Sequence, residues 1–156
     1  MDRKLIILFI VFFVSVLAMG SVSASDLSNR DFGGYFSMDV PKDIKFQEEI
    51  NVTNESGIKN VFLAELNDKI SVFYMDSQMF GEDSSAWYYQ TMFEGMNPDL
   101  TRCYESREGN LTILEPEVHN NKNFPLVGTN QGNKIIVVVG EDLDLIKEIG
   151  HSIKFK

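Results

Sequence analysis

The chain has 156 residues, 44% of them hydrophobic, with 23 acidic and 14 basic side chains and one cysteine. That length suits a single domain with a sizeable core and is too short for two comfortable ones. A formal charge of −9 with no basic cluster argues against nucleic acid and anionic lipid headgroups as partners, and the lone Cys103 excludes an intramolecular disulfide.

Asp2-Arg3-Lys4 gives a short charged start, after which Leu5 to Met19 is apolar everywhere except Ser15. An apolar run of that length fits a signal-peptide core and falls short of the ~20 residues needed to cross a bilayer. Val22 and Ala24 take the −3 and −1 positions before Ser25, so cleavage after Ala24 is expected. Left uncleaved, residues 5–24 reach spanning length and form an anchor. The predicted location is therefore secreted or cell surface, or alternatively membrane-anchored. Removing Asp2, Arg3 and Lys4 with this segment leaves 22 acidic and 12 basic residues. The acidity is read as solubility.

Residues 25–34 read as a flexible polar lead-in, and residues 35–156 as one domain. Phe36, Met38 and Val40 alternate with polar neighbours, a half-buried strand stopped by Pro41. Phe46 to Ile50 is a short edge piece and Asn51 to Gly57 a polar loop. Val61 to Leu66 and Ile70 to Met75 form a hairpin around Asn67-Asp68-Lys69. Asp83 or Ser84 caps a helix that ends near Glu94, with Gly95 beyond it. At 100° per residue Tyr88, Tyr89, Met92, Phe93 and Met96 share its core face, and Trp87 lies almost opposite.

Leu100 to Glu105 and Leu111 to Leu114 form a second hairpin, and Leu126 to Thr129 pairs with Lys134 to Val139. Ile135-Ile136-Val137-Val138-Val139 does not alternate, which predicts a central strand covered on both faces. Gly140 opens a last helix, with Glu141, Asp142 and Asp144 in its first turn and a buried stripe of Leu145, Ile146, Ile149 and Ile153. Ser152 to Phe155 closes as a short strand. The fold class is α+β: an antiparallel sheet of six or seven strands with two main helices packed on it, preceded by a cleavable hydrophobic helix.

Gly34-Tyr35-Phe36-Ser37-Met38-Asp39-Val40-Pro41, the central hairpin followed by a helix, and the ending Ser152-Ile153-Lys154-Phe155 together resemble the PsbP-like α+β sandwich proteins. The layout is also similar to small exported proteins of methanogenic archaea. The PsbP-like family includes photosystem accessory subunits, but none of their cofactor-related residues can be placed on this chain. The resemblance implies architecture alone.

Candidate chemistry is sparse, and no cofactor is expected. Glu115, Glu117 and His119, spaced by two, put two carboxylates and an imidazole on one side of an extended chain, a set able to hold Zn²⁺ or Mn²⁺ for a metal-assisted hydrolase. Pro116 interrupts that strand, so a turn into a solvated loop is the simpler expectation. His151 reads as a surface residue near a helix C-terminus. A thiol dyad of Cys103 with either histidine has no motif behind it. Met75, Met79, Met92 and Met96 read as packing rather than a Cu(I) site. Asn51, Asn54 and Asn110 head three N-glycosylation sequons on expected loops. Trp87, with Tyr88 and Phe80 beside it, has the composition of a contact patch. The leading expectation is a noncatalytic exported domain that binds a protein or cell-envelope component, or serves as an accessory subunit.

Overall fold

A computed structural model describes residues 27–42, 52–55, 58–66, 70–77, 85–97, 99, 102–118 and 123–156. The predicted opening segment, the Phe46–Ile50 piece and the Asp83 or Ser84 cap lie outside the described residues. No helix among the described residues is long and apolar enough to cross a membrane.

Among the described residues the elements follow in the order β1 (Leu27–Phe32), β2 (Phe36–Pro41), β3 (Val52–Glu55), β4 (Ile58–Leu66), β5 (Ile70–Ser77), α1 (Ser85–Met96), β6 (Cys103–Glu108), β7 (Leu111–Pro116), β8 (Leu126–Gln131), β9 (Lys134–Gly140), α2 (Leu143–Ser152) and β10 (Lys154–Phe155). They form two antiparallel sheets rather than the single one expected. Seven strands run in the order β3-β4-β5-β9-β8-β7-β6, and β1-β2-β10 make a smaller second sheet.

β9 sits at the centre between β5 and β8, as its unbroken apolar run requires. Ile135, Val137 and Val139 point to one core with Phe73, Tyr89 and Phe93, where α1 packs. Ile136 and Val138 point to the other, with Tyr74 and Ile146, covered by α2 and the small sheet. The domain is thus three layers deep. Phe36 links the small sheet to the large one, stacking on Phe32 at 4.8 Å between ring centroids and on Tyr74 at 5.5 Å.

Several expected element bounds need correction as well. The lead-in at residues 25–34 contains β1, which pairs with β2 along its whole length. Its middle side chains stay exposed, so backbone pairing and the buried Phe32 hold it rather than an apolar face. The turn is closed by Gly33 and Gly34, both at positive φ, and by the Gly34 N–H donating to Asp31 Oδ1 at 2.8 Å. The Asn51–Gly57 loop contains β3, paired with β4. The first helix does not stop before Gly95 but runs to the buried Met96, whose burial outweighs a glycine cost of about 1 kcal/mol. The last helix starts later than Gly140, at an Asp142 cap that accepts from the Leu145 N–H at 3.1 Å.

α1 approaches β8 closely because Gly128 has no side chain. A Cβ there would lie 2.7 Å from the ring of Tyr89, itself fully buried. Gly128→Ala is expected to destabilise the domain by about 1–3 kcal/mol in urea unfolding, with an unchanged m-value.

Candidate functional site

α1 presents two unlike faces. Tyr88, Tyr89, Phe93 and Met96 enter the core, with Met92 half-buried beside them. Trp87 lies on the other face and is 60% exposed, the most exposed of the large hydrophobic side chains described. Of the three residues expected to make a contact patch, Trp87 is exposed and Tyr88 is not. Tyr88 is 6% exposed and stacks on Phe73 at 6.0 Å. Phe80 lies outside the described residues. The separation follows from helix geometry, since a 100° step takes the next residue from water into the core.

The exposed face makes its own hydrogen bonds. Thr91 Oγ1 donates to the Trp87 carbonyl at 2.9 Å. Gln90 Nε2 donates to Glu94 Oε1 at 2.7 Å and approaches Cys103 Sγ at 3.6 Å, tying the helix to β6. Cys103 is half-buried in that contact and packs on the α1-side core.

Sequence reasoning missed the clamp that holds the far end of α1. Asn97, 1% exposed, donates from Nδ2 to the carbonyls of Phe93 at 2.8 Å and Phe124 at 3.3 Å. Its Oδ1 accepts from the Phe124 N–H at 2.7 Å. One amide therefore caps the helix and fixes the segment entering β8. An Asn shortly after a helical run is the only signal in the sequence, and it does not reveal the distant partner.

The proposed metal ligands do not assemble into a described centre. β7 continues through Pro116, contrary to the expected turn. The Glu117 N–H donates to the Arg102 carbonyl, so the neighbouring Cys103–Pro116 pair is non-hydrogen-bonded and the absent proline N–H leaves no gap. Glu117 is exposed and lies 3.9 Å from Arg102, and half-buried Glu115 sits opposite Tyr104. His119 lies outside the described residues. Among the described residues no group of three or more His, Cys, Asp or Glu side chains is arranged to hold a metal ion.

His151 is on α2, across the seven-stranded sheet from the core against which Cys103 packs, so these two form no dyad. Its Nε2 instead lies 3.4 Å from Glu108 Oε2, while Lys147 Nζ contacts Glu108 Oε1 at 2.5 Å. The Lys147 hydrogen bond, helped by His151, holds the Glu108 carboxyl below its ordinary value, and the same contact raises Lys147. Burial pushes the Tyr74 hydroxyl up to about 12 and raises Tyr88 and Tyr89 as well, so all three stay protonated at neutral pH. Met75, Met92 and Met96 pack within the α1-side core; Met79 lies outside the described residues. Asn110 occupies a two-residue turn and donates to Thr129 Oγ1 at 3.2 Å. Asn54 belongs to β3 rather than to a loop, and Asn51 lies outside the described residues.

Asn97→Ala should cost about 1–3 kcal/mol in chemical denaturation, because it strands the buried Phe124 N–H. Glu108→Gln should lower the melting temperature at neutral pH. A depressed carboxyl stabilises the fold above its ordinary value of 4.5 and loses that contribution as pH falls through the lowered value, so the melting curves of variant and wild type should converge below pH 4.5. High salt should also narrow the gap.

No protein-family model matches the chain, and no curated protein matches it. Among solved structures it is similar to the solution structure of cyanobacterial PsbP from Synechocystis sp. PCC 6803, with a TM-score of 0.44 and 13% identity over 89% of this chain and 98% of that one. This likeness transfers no residue role and no partner.

Proposed function

We propose that the chain is an exported, noncatalytic domain that binds a protein or cell-envelope component through the outer face of α1. The observation that carries this reading is the 60% exposure of Trp87 on a helix whose opposite face is core. A large aromatic left in water on a regular element gains most when a partner covers it, and tryptophan is enriched at the centres of contacts. The acid-rich composition keeps such a domain soluble while the ring remains open. In a form that keeps residues 1–24, the same domain acts as an anchored accessory subunit of an envelope complex.

Trp87→Ala should reduce cross-linking of the chain to its partner in native envelope fractions by about tenfold or more, quantified by mass spectrometry. Its melting temperature should stay within roughly 2 °C of wild type, as for other surface substitutions. Undiminished cross-linking, or a large fall in melting temperature, would assign the ring to packing.

A further inference from the structure

β6 ends the seven-stranded sheet, and its outer side is paired with no strand among the described residues. Tyr104, Glu105, Ser106 and Arg107 are all exposed, Tyr104 at 59%. Because the Glu117 N–H bonds to the Arg102 carbonyl, the backbone groups of Arg102, Tyr104, Ser106 and Glu108 face β7. Those of Cys103, Glu105 and Arg107 therefore face the open edge. Glu105 and Arg107 also share one face of the strand, their side chains 3.8 Å apart.

We propose that this edge docks a second copy of the same chain, β6 against β6 in antiparallel register about a two-fold axis at Ser106. In that register Glu105 of each copy lies directly opposite Arg107 of the other. Each such pair exchanges both backbone N–H···O bonds and brings opposite charges face to face. Centring the axis on Glu105 or Arg107 instead opposes like charges. Centring it on Tyr104 leaves the charges without partners, and centring it between residues mates outward backbone groups with inward ones. Charges on an edge strand ordinarily repel arbitrary strands; here their order also makes the strand complementary to itself. The two large sheets become one continuous sheet, with Trp87 left outside the pairing.

The full chain in mild detergent, followed by sedimentation velocity, tests this. Wild type should dimerise in the micromolar range, and E105R should raise the dimer Kd by about tenfold or more. An equimolar mixture of E105R and R107E should associate again, because each chain then supplies the charges the other lacks, and the double variant E105R/R107E should associate like wild type. S106C should form a disulfide-linked dimer on mild oxidation, since a non-hydrogen-bonded antiparallel pair brings Cα atoms to about 4.5 Å. Cys103, six residues out of register with its own copy, should not link. A monomeric wild type, association as tight in E105R as in wild type (as it would be through the opening apolar segment), a charge-swapped mixture no tighter than E105R alone, or a Cys103–Cys103 link would each overturn the proposal.

Discussion

Ile135 to Val139 must keep water from both faces of β9, and the remaining layers answer that requirement. Each aliphatic side chain fully buried is worth roughly 1.5–3 kcal/mol, so the strand's five together rival the whole net stability of a domain this size. One helix cannot cover both sides. α1 closes one face through its aromatic stripe, and α2 closes the other. α2 alone is too narrow for seven strands, and the small sheet supplies the remaining apolar cover through Phe36, Met38 and Val40.

The same requirement shapes how the chain is tied together. β10 follows α2 directly and pairs with β2, so the last strand closes on the first part of the domain. Ser152 joins the two regions as well, its hydroxyl accepting from the Asp39 N–H at 2.7 Å and donating to the Ile149 carbonyl at 2.6 Å. The Lys156 N–H donates to the Tyr35 carbonyl, and its ammonium pairs with Asp31 at the β1–β2 turn. The contacts to Asp39, Tyr35 and Asp31 are long-range, and they hold a sheet too small to stand alone.

Polar side chains on the described surface are engaged locally: Glu108 with Lys147, Glu117 with Arg102, Gln90 with Glu94. Two surface features stand apart from these pairs: an exposed indole on α1 and, among the described residues, an open strand edge at β6. They lie on different elements, and Gln90 brings the two elements together through its contact with Cys103.

Elements with a strong apolar rhythm were legible from residue order alone. The β4–β5 hairpin, the core stripe of α1, the doubly covered β9 and the outward position of Trp87 all follow from local periodicity, because each residue's side is set by the backbone step it occupies. β1 and β3 carry no such rhythm. Their polar residues need only backbone hydrogen bonds, and those come from β2 and β4, whose position no local pattern announces. Pro116 looks like a strand end in the sequence for a related reason: the harm done by a missing N–H depends on which partner faces it. The division of the strands into two sheets, the reach of Asn97 to Phe124 and the open edge of β6 were decided by tertiary structure, since each depends on which distant segment lies alongside. Residue order determined which faces must be dry; packing decided what dries them.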